Sequence, residues 1–304
     1  MQHETMFSRE MRLLLCPQCG APIEGAIAGG TFTCAYCRAT AVLAPRDESR
    51  EVAHAAAQPT MSEAERFQRL REQDHQPMLP PPAIHYLFAN ATSSPELLPE
   101  RAPQALAELQ RARHELSGGG SFGAAERLYF LTATLYERLS VQKKDPEVRA
   151  LLETARDVLS DPRHRQVLHG MLARNAARVG DRRAAEEWFR LMTPYATDLP
   201  MDTAYRFTCA YLSTRAGDAQ TVLRVLGTSI DDVPIADPFD EVCAVLRANA
   251  LERLGNVQAA VQQLSQMGAR SAAGVDGLGY IAAIHPELSL CPRSLPAVQG
   301  RHPR

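Results

Sequence analysis

Three glycines in the second half of the chain, Gly180, Gly217 and Gly255, stand 37 and 38 residues apart, and their surroundings keep register. Seven positions before each stands Ala173, Ala210 or Ala248, and one position after comes Asp181, Asp218 or Asn256. Five positions after are Ala185, Val222 and Ala260; nine after are Phe189, Leu226 and Leu264. Glycine enters the left-handed backbone region without steric cost, so it closes a helix, and a short polar side chain beside it caps the next one. The period therefore reads as a two-helix unit used three times. Its small alanines let helices approach, and the later apolar positions fill the seam. Stacked units of this kind make a surface that holds another molecule, not a catalytic pocket.

Around these junctions the pattern is helical almost without interruption from residue 104. Helices are predicted over Gln104–Ser117, Phe122–Gln142, Pro146–Leu159, Pro162–Val179, Arg182–Met192, Asp202–Ala216, Ala219–Leu226, Phe239–Leu254 and Val257–Met267. Asp145-Pro146 and Asp161-Pro162 mark two starts, because proline is favoured in a helix's first turn. Over roughly residues 163–268 these units resemble tetratricopeptide repeats, on Ala173…Gly180-Asp181…Ala185…Phe189 and the two matching sets. The resemblance implies an α-solenoid whose first helices line an inner, partner-binding wall. Two positions before the glycines are Arg178, Arg215 and Arg253; six before are Arg174, Tyr211 and Asn249. On such a wall these six would form two rows of donors for a peptide or protein bearing acidic groups. The helix dipole alone also favours arginine near a C-terminus, so the arginine column has a second explanation.

The N-terminal region works differently. Cys16-Pro17-Gln18-Cys19 and Cys34-Ala35-Tyr36-Cys37 are two C-x2-C pairs separated by fourteen residues. Four thiolates at that spacing describe a closed, structural zinc site, which contributes about 10–16 kcal/mol to folding a segment with little core of its own. Gly20 suits the turn after the first pair, and Ile23, Ile27 and Phe32 around Gly29-Gly30 predict a hairpin between the pairs. Residues 11–45 resemble the zinc-ribbon, or rubredoxin-like, family, with Arg38 where the second knuckle often has glycine. Iron held by the same ligands and a redox dithiol are the alternatives.

Nine of the 21 prolines fall between residues 45 and 103, so 46–103 reads as a linker. It contains one charged helix, Ser62–His75, and an apolar stretch, Ile84–Phe88, that either docks on the helices or serves as a recognition segment. Residues 104–290 form the repeat domain, and 291–304 read as a disordered basic tail. The net charge of −2 gives no push toward nucleic acid or an anionic membrane. No apolar run approaches the ~20 residues that span a bilayer, and the chain is expected to be soluble and cytoplasmic. No nucleophile with its base, phosphate loop or H-E-x-x-H helix is present. The expectation is a mainly α protein, non-enzymatic, acting as an interaction scaffold with structural zinc. The alternative is a regulator that meets nucleic acid through its ribbon. Trp188 is expected in a helix seam, Cys209 and Cys243 as small core residues, and Arg163-His164-Arg165 facing water.

Overall fold

The computed structural model describes residues 11–15, 22–26, 30–35, 37–43, 61–73, 79–92, 95–237, 239–271 and 273–300. The protein is mainly α and divides into two compact units, Met1–Glu63 and Ala64–Arg304. In the first, β1 (Met11–Leu15) pairs antiparallel with β2 (Pro22–Ala26), and β3 (Gly30–Thr33) with β4 (Thr40–Leu43). Met11 faces Ala26 and Leu15 faces Pro22; Gly30 faces Leu43 and Thr33 faces Thr40. The hairpin expected at Gly29-Gly30 is thus replaced by two hairpins. One C-x2-C pair falls in the connection of each, Cys16 and Cys19 after β1 and Cys34 and Cys37 after β3.

The second unit opens with α1 (Glu63–Arg71), a 3-10 turn (Pro82–Leu87), a short ladder of β5 (Phe88–Ala89) with β6 (Glu96–Leu97), and a 3-10 turn (Pro99–Arg101). Next come α2 (Ala102–Ser117), α3 (Phe122–Val141), α4 (Asp145–Val158), α5 (Pro162–Arg178), α6 (Arg182–Arg190) and α7 (Leu199–Ala216). After them are α8 (Ala219–Leu226), α9 (Phe239–Arg253), α10 (Val257–Arg270), α11 (Gly274–Ile284), a 3-10 turn (Pro286–Leu288) and α12 (Ser294–Val298). Within each pair the helices pack together, α5 on α6, α7 on α8 and α9 on α10. The first helices also pack in series, α5 on α7, α7 on α9 and α9 on α11, an arrangement compatible with a helical repeat array.

The three junctions are built alike. Gly180, Gly217 and Gly255 have φ of 85°, 78° and 87°. The amides of Asp181, Asp218 and Asn256 each donate to a carbonyl five residues back, at 2.9 Å. The glycine amides donate three residues back, so both bonds of a Schellman ending are present each time. The same Asp181, Asp218 and Asn256 side chains then accept the amides of Ala184, Thr221 and Ala259 at 3.0–3.2 Å. Two residues therefore stop one helix and start the next. Ala173, Ala210 and Ala248 are each 0% exposed, as required of residues at a close helix crossing.

The first helices of the pairs are covered on nearly every side. From Gln166 to Ala177 in α5 and from Cys243 to Glu252 in α9, almost every residue is buried. A helix buried all round has no polar stripe to betray its surroundings. By contrast, α6 has an outward face stitched by Arg182–Glu186 and Arg183–Glu187 pairs at 2.9 Å. The apolar core of this unit has two large clusters and a small one around Leu70, Leu199 and Ala236, and Trp188, in its expected seam, packs against both large ones.

Of the two readings of Ile84–Phe88, docking on the helices holds, whereas the C-terminal tail departs from expectation. Ile84, Leu87 and Phe88 are buried, and Phe88 meets Phe130 edge-on at 5.3 Å, so this part of the expected linker docks. At the other end Leu290, Cys291 and Leu295 are buried, and only 301–304 of the expected tail lie outside the described residues. The physical reason is Glu252. Its carboxylate accepts the amides of Arg293 and Ser294 at 2.9 and 2.8 Å and the Ser294 hydroxyl at 2.7 Å, seating the start of α12. Among the described residues no helix is long and apolar enough to cross a membrane.

The junctions make a direct prediction. Gly217→Ala should destabilise the protein by about 1–2 kcal/mol, because the methyl meets open space and only backbone strain is added. Asn256→Ala should cost about 1 kcal/mol through loss of its cap. Urea unfolding measures both, and a neutral Gly217→Ala would contradict the left-handed geometry.

Candidate functional site

Three groups of residues qualify as candidates: the cysteine pairs, the arginine rows and a cavity that the sequence does not announce. Of the expected metal ligands, Cys16 and Cys19 lie outside the described residues. Cys34 and Cys37 lie in a tight turn between β3 and β4. The Arg38 amide donates to the Cys34 carbonyl and the Cys34 amide to the Ala39 carbonyl, both at 2.9 Å. Arg38 adopts a φ of 59°, the left-handed conformation for which glycine is the usual choice at that place. Cys34 is buried and Cys37 exposed. No group of three or more metal-ligating side chains forms among the described residues.

The two rows on the first helices are not an open wall, and this corrects the sequence reading. Arg174, Tyr211 and Asn249 are buried. Arg174 donates to the Thr208 hydroxyl at 2.6 Å and lies over the rings of Phe207 and Tyr136, at 4.4 and 5.9 Å. Tyr211 meets the ring of His285 at 5.8 Å, and Asn249 accepts the Cys291 amide at 3.1 Å. Arg253 donates to the Leu288 and Thr214 carbonyls at 3.0 and 3.3 Å. Along α7 and α9 the expected groove is therefore filled by the chain's own residues 285–294. Arg178 is paired with Asp145 at 2.5 Å and bonded to Ser140. Arg215 and Arg253 are exposed and make no ion pair among the described residues, and Arg253 is held by its two carbonyls.

A buried ionic knot joins α1 to this body. The Asp202 carboxylate takes Arg66 at 2.6 Å on one oxygen and Arg206 at 2.7 Å on the other, and all three are buried. The Phe67 ring lies between the two guanidiniums, 5.0 and 4.8 Å from their centres. Gln73 adds bonds to the Thr197 carbonyl and the Leu199 amide. The charged sequence SEAERFQRLREQDH reads as a solvated helix because its anchors are arginines, which sequence patterning assigns to the surface.

The third group lines a cavity of about 310 Å³ between α1, α9, α10 and the loop after α8. Its polar wall is Arg71, Arg247, Arg270, Asp231 and Asp240, and its apolar wall includes Ile230, Val233, Ile235 and Met267. Burial and the neighbouring Asp237 and Glu241 hold the Asp240 carboxyl above its ordinary range. Asp231 is bound by Arg270 through both oxygens, at 2.9 and 3.3 Å. Asp232, beside Asp231, closes a loop by accepting the Thr228 and Ser229 amides at 2.7 and 2.8 Å. No period or motif links these residues, since they come from four separate segments.

Other titratable groups serve the fold. Burial pushes the thiols of Cys243 and Cys291 up to about 12 and raises Cys209, as suits core cysteines. His164, expected in water, is buried, stacked on Tyr129 at 4.2 Å and 3.0 Å from Glu126. Burial lowers its pKa from 6.5 against the opposing pull of Glu126 and Asp161.

No protein-family model matches this chain, and no curated protein or solved structure does so either. Function must be read from its own residues.

Two outcomes follow from the buried charges. Asp202→Ala leaves two guanidiniums facing each other and should destabilise by about 3–5 kcal/mol, measured by urea unfolding. A loss below about 1 kcal/mol would mean that the knot is solvated. His164 and His169 both have folded-state pKa values depressed mainly by burial, so the unfolded chain binds more protons. Stability should be full above 6.5 and fall as pH drops through that value toward the folded pKa values. His164→Gln should flatten the fall between about pH 7.5 and 5.5, and an unchanged slope would show that His164 does not contribute.

Proposed function

We propose that the protein is a non-enzymatic interaction scaffold. In this reading residues 104–290 are a tetratricopeptide-like solenoid, and Cys16, Cys19, Cys34 and Cys37 hold a structural zinc ion in a ribbon. The observation that carries the scaffold is the junction used three times, with the same glycine conformation, the same two backbone bonds and the same cap. Repetition of one supersecondary unit is a device for building extended surface. Zinc is supported by the placement of each cysteine pair in a hairpin connection and by the left-handed turn at Arg38. The four thiolates leave no open coordination position for chemistry, so the metal's role is to fold the segment.

The partner-binding surface moves from the buried rows to the edge where the first helices end. Arg253 reaches the last carbonyls of α7, and Arg178 reaches Ser140 near the end of α3, so these ends lie side by side. Val179 and Leu254, each one place before its glycine, are 55% and 49% exposed, next to Arg178 and Arg253. Exposed apolar groups interleaved with guanidiniums suit a protein or peptide with acidic and apolar side chains. The variant Val179→Asp, Arg215→Glu, Leu254→Asp changes only this rim, where surface substitutions usually stay within about 0.5 kcal/mol each. Affinity capture from native cells should lose its specific partners with that variant while its melting temperature holds, and an identical captured set would overturn the assignment. Elemental analysis should find one zinc per chain in the wild type and none in Cys34→Ser/Cys37→Ser. Iron, or no metal, would overturn the ribbon.

A further inference from the structure

Two arginines converge on the C-terminal end of α8, whose last carbonyls have no intrahelical partner. Arg206, from α7, donates to the Val225 carbonyl at 2.6 Å. Arg247, from α9, donates through Nε and Nη2 to the Leu226 carbonyl at 3.2 and 2.8 Å. Their circumstances then differ. Arg206 is ion-paired with Asp202, a partner it shares with Arg66, whereas Arg247, 1% exposed, has no carboxylate within ion-pair distance among the described residues. A buried guanidinium without a counter-ion is an unfavourable arrangement that natural structures resolve by pairing.

Arg247 lines the cavity described above, and the acids around it are committed elsewhere. Asp231 is held by Arg270, and Asp240 accepts the Glu241 amide at 2.9 Å. Asp231 and Asp232 act on Arg247 only through space, so among the described residues its guanidinium has no directly bonded anion at the cavity wall. A doubly charged phosphate would be repelled by the nearby aspartates about twice as strongly as a singly charged carboxylate, which can pair with Arg247 alone. The rest of the lining is largely apolar, with Val233 and Met267 themselves buried. We infer that this cavity binds a carboxylate carried on a short apolar chain, the carboxylate resting on Arg247 and the chain against Val233, Ile235 and Met267. Arg71 of α1 forms part of the same wall while donating to the Asp231 and Asp232 carbonyls, so the bound acid also meets the segment that enters from the N-terminal side. The site is independent of the scaffold reading, since partner capture on the rim neither requires it nor supplies it.

The shared chemistry fits a small fatty acid or the C-terminus of a peptide, and calorimetric titration of the full chain distinguishes them. The probes are hexanoate with hexanol as its uncharged counterpart, and N-acetyl-alanyl-valine with its amide. At least one acid should bind at a single saturable site, about tenfold or more tighter than its uncharged counterpart. The tighter of the two acids identifies the source. Arg247→Met should abolish the preference for acid over neutral probe. If that variant does not fold, Ile230→Trp, which fills the cavity from a half-buried position, should abolish binding instead. Acids binding no better than neutral probes, or wild-type binding by the Ile230→Trp protein, would overturn the assignment.

Discussion

The close crossing of α5, α7 and α9 is the constraint on which the helical unit depends. Ala173, Ala210 and Ala248 are fully buried at equivalent places, and helices packed in series around such small residues are covered on most sides. The junction chemistry serves that crossing. A left-handed glycine followed at once by a capping side chain gives the second helix little choice of direction, so each pair is antiparallel before any long-range contact forms. Local geometry and core packing thus ask for the same arrangement, which is the condition for a single well-defined fold.

Because those central helices are enclosed, their polar residues become internal staples. Arg174 bonds Thr208 on the next first helix, Arg253 reaches back to Thr214, and Glu252 receives the turn into α12. Each links elements that apolar contact alone would leave free to slide. The ends of the stack are treated in the same spirit. The Pro82–Leu87 turn places Ile84 and Leu87 against the first helices, and residues 285–298 cover the last pair. Repeats at the end of an array expose a face that an inner repeat would bury, and coverage by the chain itself removes that exposure.

What the sequence discloses divides along the range of the interaction. Helix ends, left-handed glycines and caps depend on residues within five positions, and they were legible at all three junctions; the predicted Ala219–Leu226 coincides with the helix observed. Solvent exposure of a polar residue is a long-range property. Arginines spaced regularly on a helix look the same whether they face water, as Arg215 does, or the interior, as Arg174 does. The Asp202 knot is not legible in the sequence because Arg66 lies 136 positions from Asp202 and both belong to residue types usually found outside. Conversely, the turn at Arg38 shows that a missing glycine need not mean a missing conformation.

Arginine is the residue whose role the fold most often redefines, for a physical reason. Its planar group can cap carbonyls, stack on rings and pair with acids at once, so one side chain satisfies several neighbours in a crowded interior. Arg66 and Arg206 illustrate the complete case, with carbonyl, ring and carboxylate all present. Arg247 meets only the carbonyl, and burial lowers its pKa accordingly. Two buried arginines serving the same helix end therefore differ in one respect: Arg206 is bonded to a carboxylate inside the fold, and Arg247 lines a cavity instead.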